Sequence, residues 1–316
     1  MKHTASARIL VALALAAVLL IPACFTALAA SPDSAPESAI GTASETVAAT
    51  ATESAAPADS GDKEQKAEPT LWESIRQNAA YVASFAAIIA AVFALAALFE
   101  HIARKKTGEQ PIPPARRSAV IGVFSALAFV LFLLEFPLPF LAPPFYKLDF
   151  SEIPVLIGAY AFGPVAGVLI EFVKIVLKLA VKGTSTAFVG ELANFVVGCS
   201  FVLPASIIYE FNKTKKGAFI SGGVGTLSIA AFGSLFNAVY LLPAFSALFH
   251  MPIDVIIGMG HEIIPAISDV PTFAFFAVAP FNLIKGASVT LVTLLVYKKL
   301  SPILKYGRKK LRAGNE

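Results

Sequence analysis

Long apolar stretches, repeated along most of the chain, are the feature that most constrains how this protein can fold. The first runs from Ala79 to Phe99, and further stretches follow from Ser118 to Tyr297. A membrane-spanning helix needs about 20 mainly apolar residues. The chain has 316 residues, of which 57% are hydrophobic and 15% charged. The sequence therefore predicts an all-α, polytopic membrane protein in the lipid bilayer, and it excludes a nucleic-acid-binding or disordered chain.

The N-terminal region differs in composition from the rest of the chain. Residues 1–30 have a positive start, an apolar run and a small-residue cleavage site at 27–29, which predicts a signal peptide. An uncleaved membrane anchor is one alternative, and a lipoprotein signal ending at Cys24 is another. Residues 31–70 are rich in Ala, Ser, Thr, Glu and Pro, which predicts a disordered, exported acidic linker.

An extra transmembrane helix is predicted at 79–99, followed by a basic cytoplasmic loop at 100–117. A six-helix membrane domain follows at 118–300, and a basic tail covers 301–316. The second core span is shorter than a bilayer needs. The six predicted core spans cover residues 118–136, 152–162, 164–181, 190–210, 218–247 and 270–297.

Basic residues indicate how the spans are oriented. Cytoplasmic loops of membrane proteins carry an excess of Lys and Arg. The three segments predicted to lie on the cytoplasmic side are basic, whereas the loops predicted on the opposite side hold few basic residues. The sequence therefore predicts a cell-membrane protein whose core has both termini in the cytoplasm. The basic residues are Arg104, Lys105, Lys106, Arg116 and Arg117, then Lys213, Lys215 and Lys216, then seven between Lys298 and Arg312.

Three polar residues lie deep within predicted spans. Asn282 and Lys285 are three residues apart and share a helix face, and Asn237 lies in the preceding span. At 1.5 Å per residue, Asn237 and Asn282 lie about 15–18 Å below the outer surface. No carboxylate at the same depth offers Lys285 an obvious partner. Because a buried lysine is costly in a bilayer, we interpret the Asn282–Lys285 pair as functional. A structural hydrogen bond between helices is the alternative and is favoured for Asn237 alone.

The third span and the loop after it hold further polar residues. Glu171, Lys174 and Lys178 follow helical spacing, and an internally paired structural stripe is the favoured interpretation. Thr184 and Thr186 lie in a hydroxyl-rich outer loop that suits a polyol or a solvated turn.

The remaining motifs indicate a binder or carrier without catalytic residues. Ser118, Gly122 and Ala126 form a stripe of small residues that allows close helix approach. The sequence contains no phosphate-binding loop, no metal-ligand spacing and no nucleophilic triad. We therefore expect neither enzymatic activity nor a bound metal.

Three motifs carry a resemblance to a known family. They are KLDFSEIP at 147–154, GELANF at 190–195 and APFNLIKG at 279–286. The chain resembles the riboflavin-specific substrate-binding (S) components of energy-coupling factor (ECF) transporters over about residues 116–300. The first motif indicates the class, and the third indicates riboflavin. The N-terminal 115 residues depart from the family, which normally begins at the first core span, and their role stays open.

The resemblance implies a six-helix S-component fold that captures riboflavin from outside, beneath the loop after the first core span. It implies that Asn237, Asn282 and Lys285 hydrogen-bond the polar edge of the isoalloxazine ring, whose acceptors and N–H suit amides. We add the hypothesis that Leu148 and Asp149 help close the site.

A further hypothesis is that Thr184 and Thr186 face the ribityl hydroxyls. The resemblance also implies partners, namely a transmembrane coupling protein and two cytosolic ATPases, which alone use ATP. The small-residue stripe at Ser118, Gly122 and Ala126 is the expected docking surface for the coupling protein. Riboflavin is then a transported ligand and not a catalytic cofactor.

Two other hypotheses remain open from the sequence. The chain could be an S component for another vitamin or a related flavin. It could also be a membrane anchor or receptor whose exported segment is the functional part.

Overall fold

The computed structural model describes residues 79–107 and 113–313, with side chains over most of that range. The expected signal or anchor at 1–30 and the expected linker at 31–70 lie outside the described residues. The described chain is mainly helical. Its ten α-helices are α1 Ala79–Thr107, α2 Pro114–Leu133, α3 Glu152–Phe162, α4 Pro164–Lys182, α5 Val189–Phe211, α6 Lys215–Phe236, α7 Leu242–Phe249, α8 Ile253–Ile263, α9 Val270–Phe273 and α10 Ala279–Ala313.

Two short strands lie in the loop between α2 and α3. Strand β1 (Phe136–Pro137) pairs antiparallel with β2 (Lys147–Leu148), so that Phe136 lies opposite Leu148. Leu148 is buried and packs with residues of α8 to α10. The loop therefore folds back onto the helices instead of extending away from them.

Five helical segments of the described chain are long and apolar enough to cross a membrane, which confirms the predicted all-α, multi-pass membrane protein. Helix α3 is too short to be one of them, as the sequence indicated, and α4 carries several charged residues. The five segments are Phe85–Thr107, Pro114–Leu133, Val189–Phe211, Lys215–Phe249 and Val270–Tyr297.

Helix α1 continues beyond residue 99, where the sequence predicted its end. Arg104, Lys105 and Lys106, expected in a loop, instead form the last turn of this helix. Only the segment between Thr107 and Pro114 separates α1 from α2. Basic side chains at a helix C-terminus interact favourably with its dipole, which explains why the helix extends through them.

Two π-helical turns interrupt the last two membrane-crossing segments. One covers Asn237–Leu241 between α6 and α7, and the other covers Ala274–Val278 between α9 and α10. A proline follows each turn, Pro243 in the first case and Pro280 in the second. A proline cannot donate a backbone hydrogen bond, and its ring crowds the carbonyl four residues earlier, so a wider turn relieves the clash. The two turns contact each other, which brings the neighbouring polar residues together.

Candidate ligand-binding site

A cavity of about 440 Å³ lies between the loop after α2 and helices α4, α5, α7, α8 and α10. Its volume falls within the range of small-molecule sites, roughly 300–1,000 Å³. Many of its lining side chains are aromatic or aliphatic, and a smaller number are polar. The aromatic residues are Phe132, Phe145, Tyr146, Phe245, Phe249 and Phe281. Polar or charged lining residues include Glu135, Lys147, Asp149, Lys178, Ser185, Thr186, Glu191, Asn194, Asn237, Asn282 and Lys285.

Asn237 begins the first π-helical turn and is 4% exposed. Its Nδ2 donates to the carbonyl of Gly233 at 2.9 Å, and its Oδ1 accepts from the Tyr146 hydroxyl at 2.6 Å. A carbonyl can only accept, so Gly233 fixes which side of the amide carries the nitrogen. One amide hydrogen remains, and Asn237 can offer it to an acceptor on a ligand.

Asn282 lies one turn after the second π-helical segment and is also buried. Its side chain forms no hydrogen bond with another described residue. The amide packs directly against α6 at Gly233. A Cβ at that position would lie only 2.6 Å from the Asn282 Nδ2. Only glycine leaves room for the amide at this position. Asn282 therefore has both a donor and an acceptor available for a ligand.

Lys285 is paired with a carboxylate, contrary to our expectation. Its Nζ lies 2.7 Å from Oδ2 of Asp149, whose Oδ1 accepts the backbone N–H of Ser151 at 2.9 Å. The prediction that Lys285 lacks a partner is wrong, because it considered only the helices. The loop after α2 turns inward and carries Asp149 to the depth of Lys285. Asn237, Asn282 and Lys285 all line the same cavity.

The charge state of Asp149 follows from its neighbours. Burial acts to raise the pKa of its carboxyl, but the ammonium groups of Lys285 and Lys174 and two hydrogen bonds outweigh burial and hold the pKa below its ordinary value. Asp149 is therefore ionised at neutral pH and forms an ion pair with Lys285.

A second ion-pair network lies behind the loop. The Lys174 Nζ is 2.6 Å from Glu171 and 2.9 Å from Glu152, and it donates to the Ser151 hydroxyl at 3.1 Å. This confirms the predicted pairing of Glu171 with Lys174 and adds Glu152, which the sequence did not connect to them. Lys174 is 1% exposed, and none of its three partners lines the cavity. The network therefore holds the start of α3 against α4.

A third network surrounds Glu191 at the start of α5. Its carboxylate accepts from Lys178 at 3.0 Å, from Thr184 at 2.9 Å and from Thr186 at 3.1 Å. Thr186 lines the cavity, whereas Thr184 does not. The Thr184 hydroxyl also accepts the backbone N–H of Phe188. Both hydroxyl protons are donated to Glu191, and the Thr186 hydroxyl also accepts the backbone N–H of Gly190 at 2.9 Å. Thr186 therefore has one acceptor position left for a ligand.

The other predicted residues have distinct locations. Leu148 does not line the cavity. It is 4% exposed and belongs to the hydrophobic cluster that packs the loop after α2 against the helices. Ser118, Gly122 and Ala126 lie on the exposed face of α2, away from the cavity lining. Among the described residues, no group of three or more His, Cys, Asp or Glu side chains is arranged to hold a metal ion.

Tyr146, Lys178 and Glu191 are among the cavity-lining residues for which the sequence predicted no ligand contact. Tyr146 and Glu191 had no predicted role, and Lys178 was interpreted as part of a structural stripe. Glu191 lies in the GELANF motif at 190–195, which was a usable signal. Tyr146 precedes the KLDFSEIP motif, and no local pattern distinguishes it from its aromatic neighbours.

Comparison with known proteins identifies the family. Residues 116–297 match the family described as the substrate-specific component of ECF transporters. The chain is 34% identical to Riboflavin transporter FmnP of Bacillus subtilis (strain 168), over 61% of this chain and 96% of that protein. It is also 34% identical to Riboflavin transporter RibU of Staphylococcus aureus (strain TCH60), over 60% of this chain and 93% of that protein.

A solved structure of the S component of a bacterial ECF transporter is 32% identical in sequence, with a TM-score of 0.48. The match covers 61% of this chain and 99% of that chain. The family match over more than half of the chain and the coverage of the relatives agree with the resemblance found in the motifs. The chain therefore belongs to the family of substrate-specific components of ECF transporters.

Proposed function

We propose that this protein takes up riboflavin as the membrane-embedded S component of an ECF transporter. The observation that carries the proposal is the convergence of Asn237, Asn282 and Lys285 on one cavity, in a chain whose relatives are riboflavin transporters. Membership in a transporter family indicates transport and not catalysis.

The polar groups of the cavity match the polar edge of the isoalloxazine ring. That edge carries carbonyl and ring-nitrogen acceptors beside one N–H. Asn237 offers a donor, Asn282 offers a donor and an acceptor, and the ammonium of Lys285 offers further donors. The apolar rings of Phe132, Phe281 and their neighbours suit the faces of a flat aromatic ligand. The ribityl chain is then left for hydroxyl-binding groups such as Thr186 and Asn194.

Capture from the outer side is the second part of the proposal. The loop after α2 covers the cavity and contributes Tyr146 and Asp149 to its lining. The distribution of basic residues supports an orientation in which the opposite ends of the helices, and both core termini, lie in the cytoplasm. The loop must then move for riboflavin to enter, and Leu148 anchors it to the helices when it closes.

Delivery requires an energy source on other subunits. We propose a transmembrane coupling protein and two cytosolic ATPases, of which only the ATPases use ATP. The expected docking stripe on α2 is exposed, and a Cβ placed at Gly122 meets no atom within 4 Å. A flat, unobstructed helix face of this kind allows another membrane helix to approach closely.

The proposal is tested by purifying the full chain in detergent from cells fed with riboflavin. We expect a yellow protein with flavin absorption and with quenched flavin fluorescence. Mass spectrometry of the released ligand then identifies riboflavin. A colourless protein that binds no added riboflavin contradicts the proposal, and a different released vitamin assigns the chain to another S component.

A further inference from the structure

Helix α1 precedes the segment that matches the family, which begins at residue 116. One side of this helix is nevertheless buried against the core. Val92, Ala96, Phe99 and Ala103 are all at most 5% exposed, and they recur every three or four residues along one helix face. The opposite side is exposed, with Leu98 at 54%. A helix with one such buried face is packed as an integral part of the bundle.

Aromatic contacts join α1 to two helices of the core. The ring of Phe85 meets Phe195 of α5 edge to face at 6.1 Å, and Phe93 meets Phe172 of α4 in the same way at 6.1 Å. Phe172 and Phe195 also meet each other at 6.5 Å. These four rings form one continuous contact across α1, α4 and α5. Aromatic pairs of this kind add stabilising free energy beyond that of the apolar area they bury.

A buried carboxylate fixes the other end of α1. Glu100 accepts two hydrogen bonds from Arg117 of α2, at 3.0 and 3.1 Å, and is also paired with Arg104. It accepts the backbone N–H of Val165 at 3.0 Å, in the first turn of α4. That N–H has no partner within its own helix, so Glu100 caps α4 from α1. The single side chain of Glu100 therefore ties together the ends of α1, α2 and α4.

The core helices that α1 contacts also form a wall of the cavity. Helix α4 contributes Lys178 to the lining, and α5 contributes Glu191, Ala193 and Asn194. One hydrophobic cluster contains Phe85, Val92 and Ala96 of α1 together with Ala193, which itself lines the cavity. Helix α1 therefore packs directly against the two helices, α4 and α5, that line this side of the cavity.

We infer that α1 is an additional transmembrane helix of the substrate-binding domain and that it holds the α4–α5 wall of the cavity in its ligand-binding geometry. Residues of α1 act through that wall and not by touching the ligand, so they are positioning residues. The effect on ligand release rests on the proposed function, whereas the packing of α1 does not. Loosening α1 should let the Lys178–Glu191 pair move and should speed the release of a bound ligand.

The experiment uses the full chain with Cys24→Ser, so that Cys199 is the remaining thiol. Cys199 of α5 is 3% exposed and belongs to the hydrophobic cluster shared with α1, so its alkylation by a maleimide reports on α1 packing without any ligand. The test variants are Ala96→Leu, which overfills a fully buried position, and Glu100→Gln, which removes the charge. Their matched controls are Ala97→Leu on the exposed face of α1 and Glu262→Gln at an exposed position near the end of α8, outside the cavity lining.

We expect faster alkylation of Cys199 and about threefold to tenfold faster riboflavin release in both test variants than in their controls. Glu100→Gln keeps the test decisive if Ala96→Leu does not fold. Equal alkylation in test and control variants, or equal release rates despite faster alkylation, overturns the inference. An unmodified protein that binds no riboflavin contradicts the proposed function instead, and the alkylation rates then decide whether α1 is fixed to the α4–α5 wall.

Discussion

The Nζ of Lys285 and the Oδ2 of Asp149 lie 2.7 Å apart, although the two residues are 136 positions apart in the chain. This ion pair joins α10 to the loop that covers the cavity. The side chains of Lys285 and Asp149 are 11% and 3% exposed, so the pair is largely shielded from water. A ligand bound by Lys285 therefore contacts an ammonium whose position the loop already fixes.

Asp149→Asn removes the charge that holds Lys285 while keeping the shape of the side chain. We expect the dissociation constant for riboflavin to rise about tenfold or more, which corresponds to about 1.4 kcal/mol. The free energy of unfolding should also fall, because a largely buried ammonium loses its partner. Fluorescence titration and thermal unfolding in detergent measure the two effects. An unchanged dissociation constant would show that the pair does not organise the site.

The exposed pair of Lys147 and Glu135 provides the control. Their side chains are 47% and 29% exposed, and exposed ion pairs contribute about 0–1 kcal/mol. Glu135→Gln should therefore change the free energy of unfolding much less than Asp149→Asn does.

The stabilisation that Asp149 provides should depend on pH only in acid. Burial acts to raise its pKa, but Lys285, Lys174 and hydrogen bonds lower it below the ordinary value of 3.8. A carboxyl with a lowered folded pKa stabilises the protein fully above its unfolded pKa, about 4, and loses this effect as the pH falls through the folded pKa. The difference in unfolding midpoint between wild type and Asp149→Asn should stay constant from about pH 5 to pH 8 and narrow below about pH 4. A difference that already shrinks between pH 8 and pH 6 contradicts this account.

Asn282 and Asn237 should respond differently to truncation. Asn282 forms no side-chain hydrogen bond within the described chain, so Asn282→Ala should weaken riboflavin binding about tenfold or more while leaving thermal unfolding nearly unchanged. Asn237 bonds both Tyr146 and Gly233, so Asn237→Ala should weaken binding and also cost about 1–3 kcal/mol of stability. Wild-type affinity in Asn282→Ala is the result that would remove Asn282 from the site.

Gly122→Phe should separate binding from transport. The position is open on the exposed face of α2, so the bulky side chain does not disturb the fold but prevents close helix approach. Riboflavin binding by the purified protein should stay normal, while riboflavin uptake by cells that contain the ECF module should be lost. Val123→Phe is the control, because Val123 is 68% exposed and lies outside the small-residue stripe. Loss of uptake in both variants would indicate that the stripe has no special role.

Local spacing let the sequence predict the helices and one of the ion pairs. The apolar stretches identify the membrane helices because only a helix satisfies its backbone in lipid. Glu171 and Lys174 are three residues apart, so helix geometry alone brings their side chains together, and they are indeed 2.6 Å apart. The common depth of Asn237 and Asn282 followed in the same way from the rise per residue.

The path of the loop after α2 could not be predicted from periodicity. A loop has no repeat that fixes its depth, so the partner of Lys285 stayed hidden, and so did the Tyr146 hydroxyl on Asn237. The pairing of Glu152 with Lys174 was not predicted either, because it joins two helices, α3 and α4, and spacing within one helix does not indicate such a contact. Pro243 and Pro280 each follow a π-helical turn, and the sequence did not predict either turn.

Titration of the ligand-free, detergent-purified protein with riboflavin tests the central claim most directly. Flavin fluorescence should be quenched to a sharp end point at one riboflavin per chain, and Asn282→Ala should shift the titration to higher concentrations while the protein stays folded. Absence of quenching in the wild-type protein, or identical titrations for wild type and Asn282→Ala, would contradict riboflavin binding in this cavity.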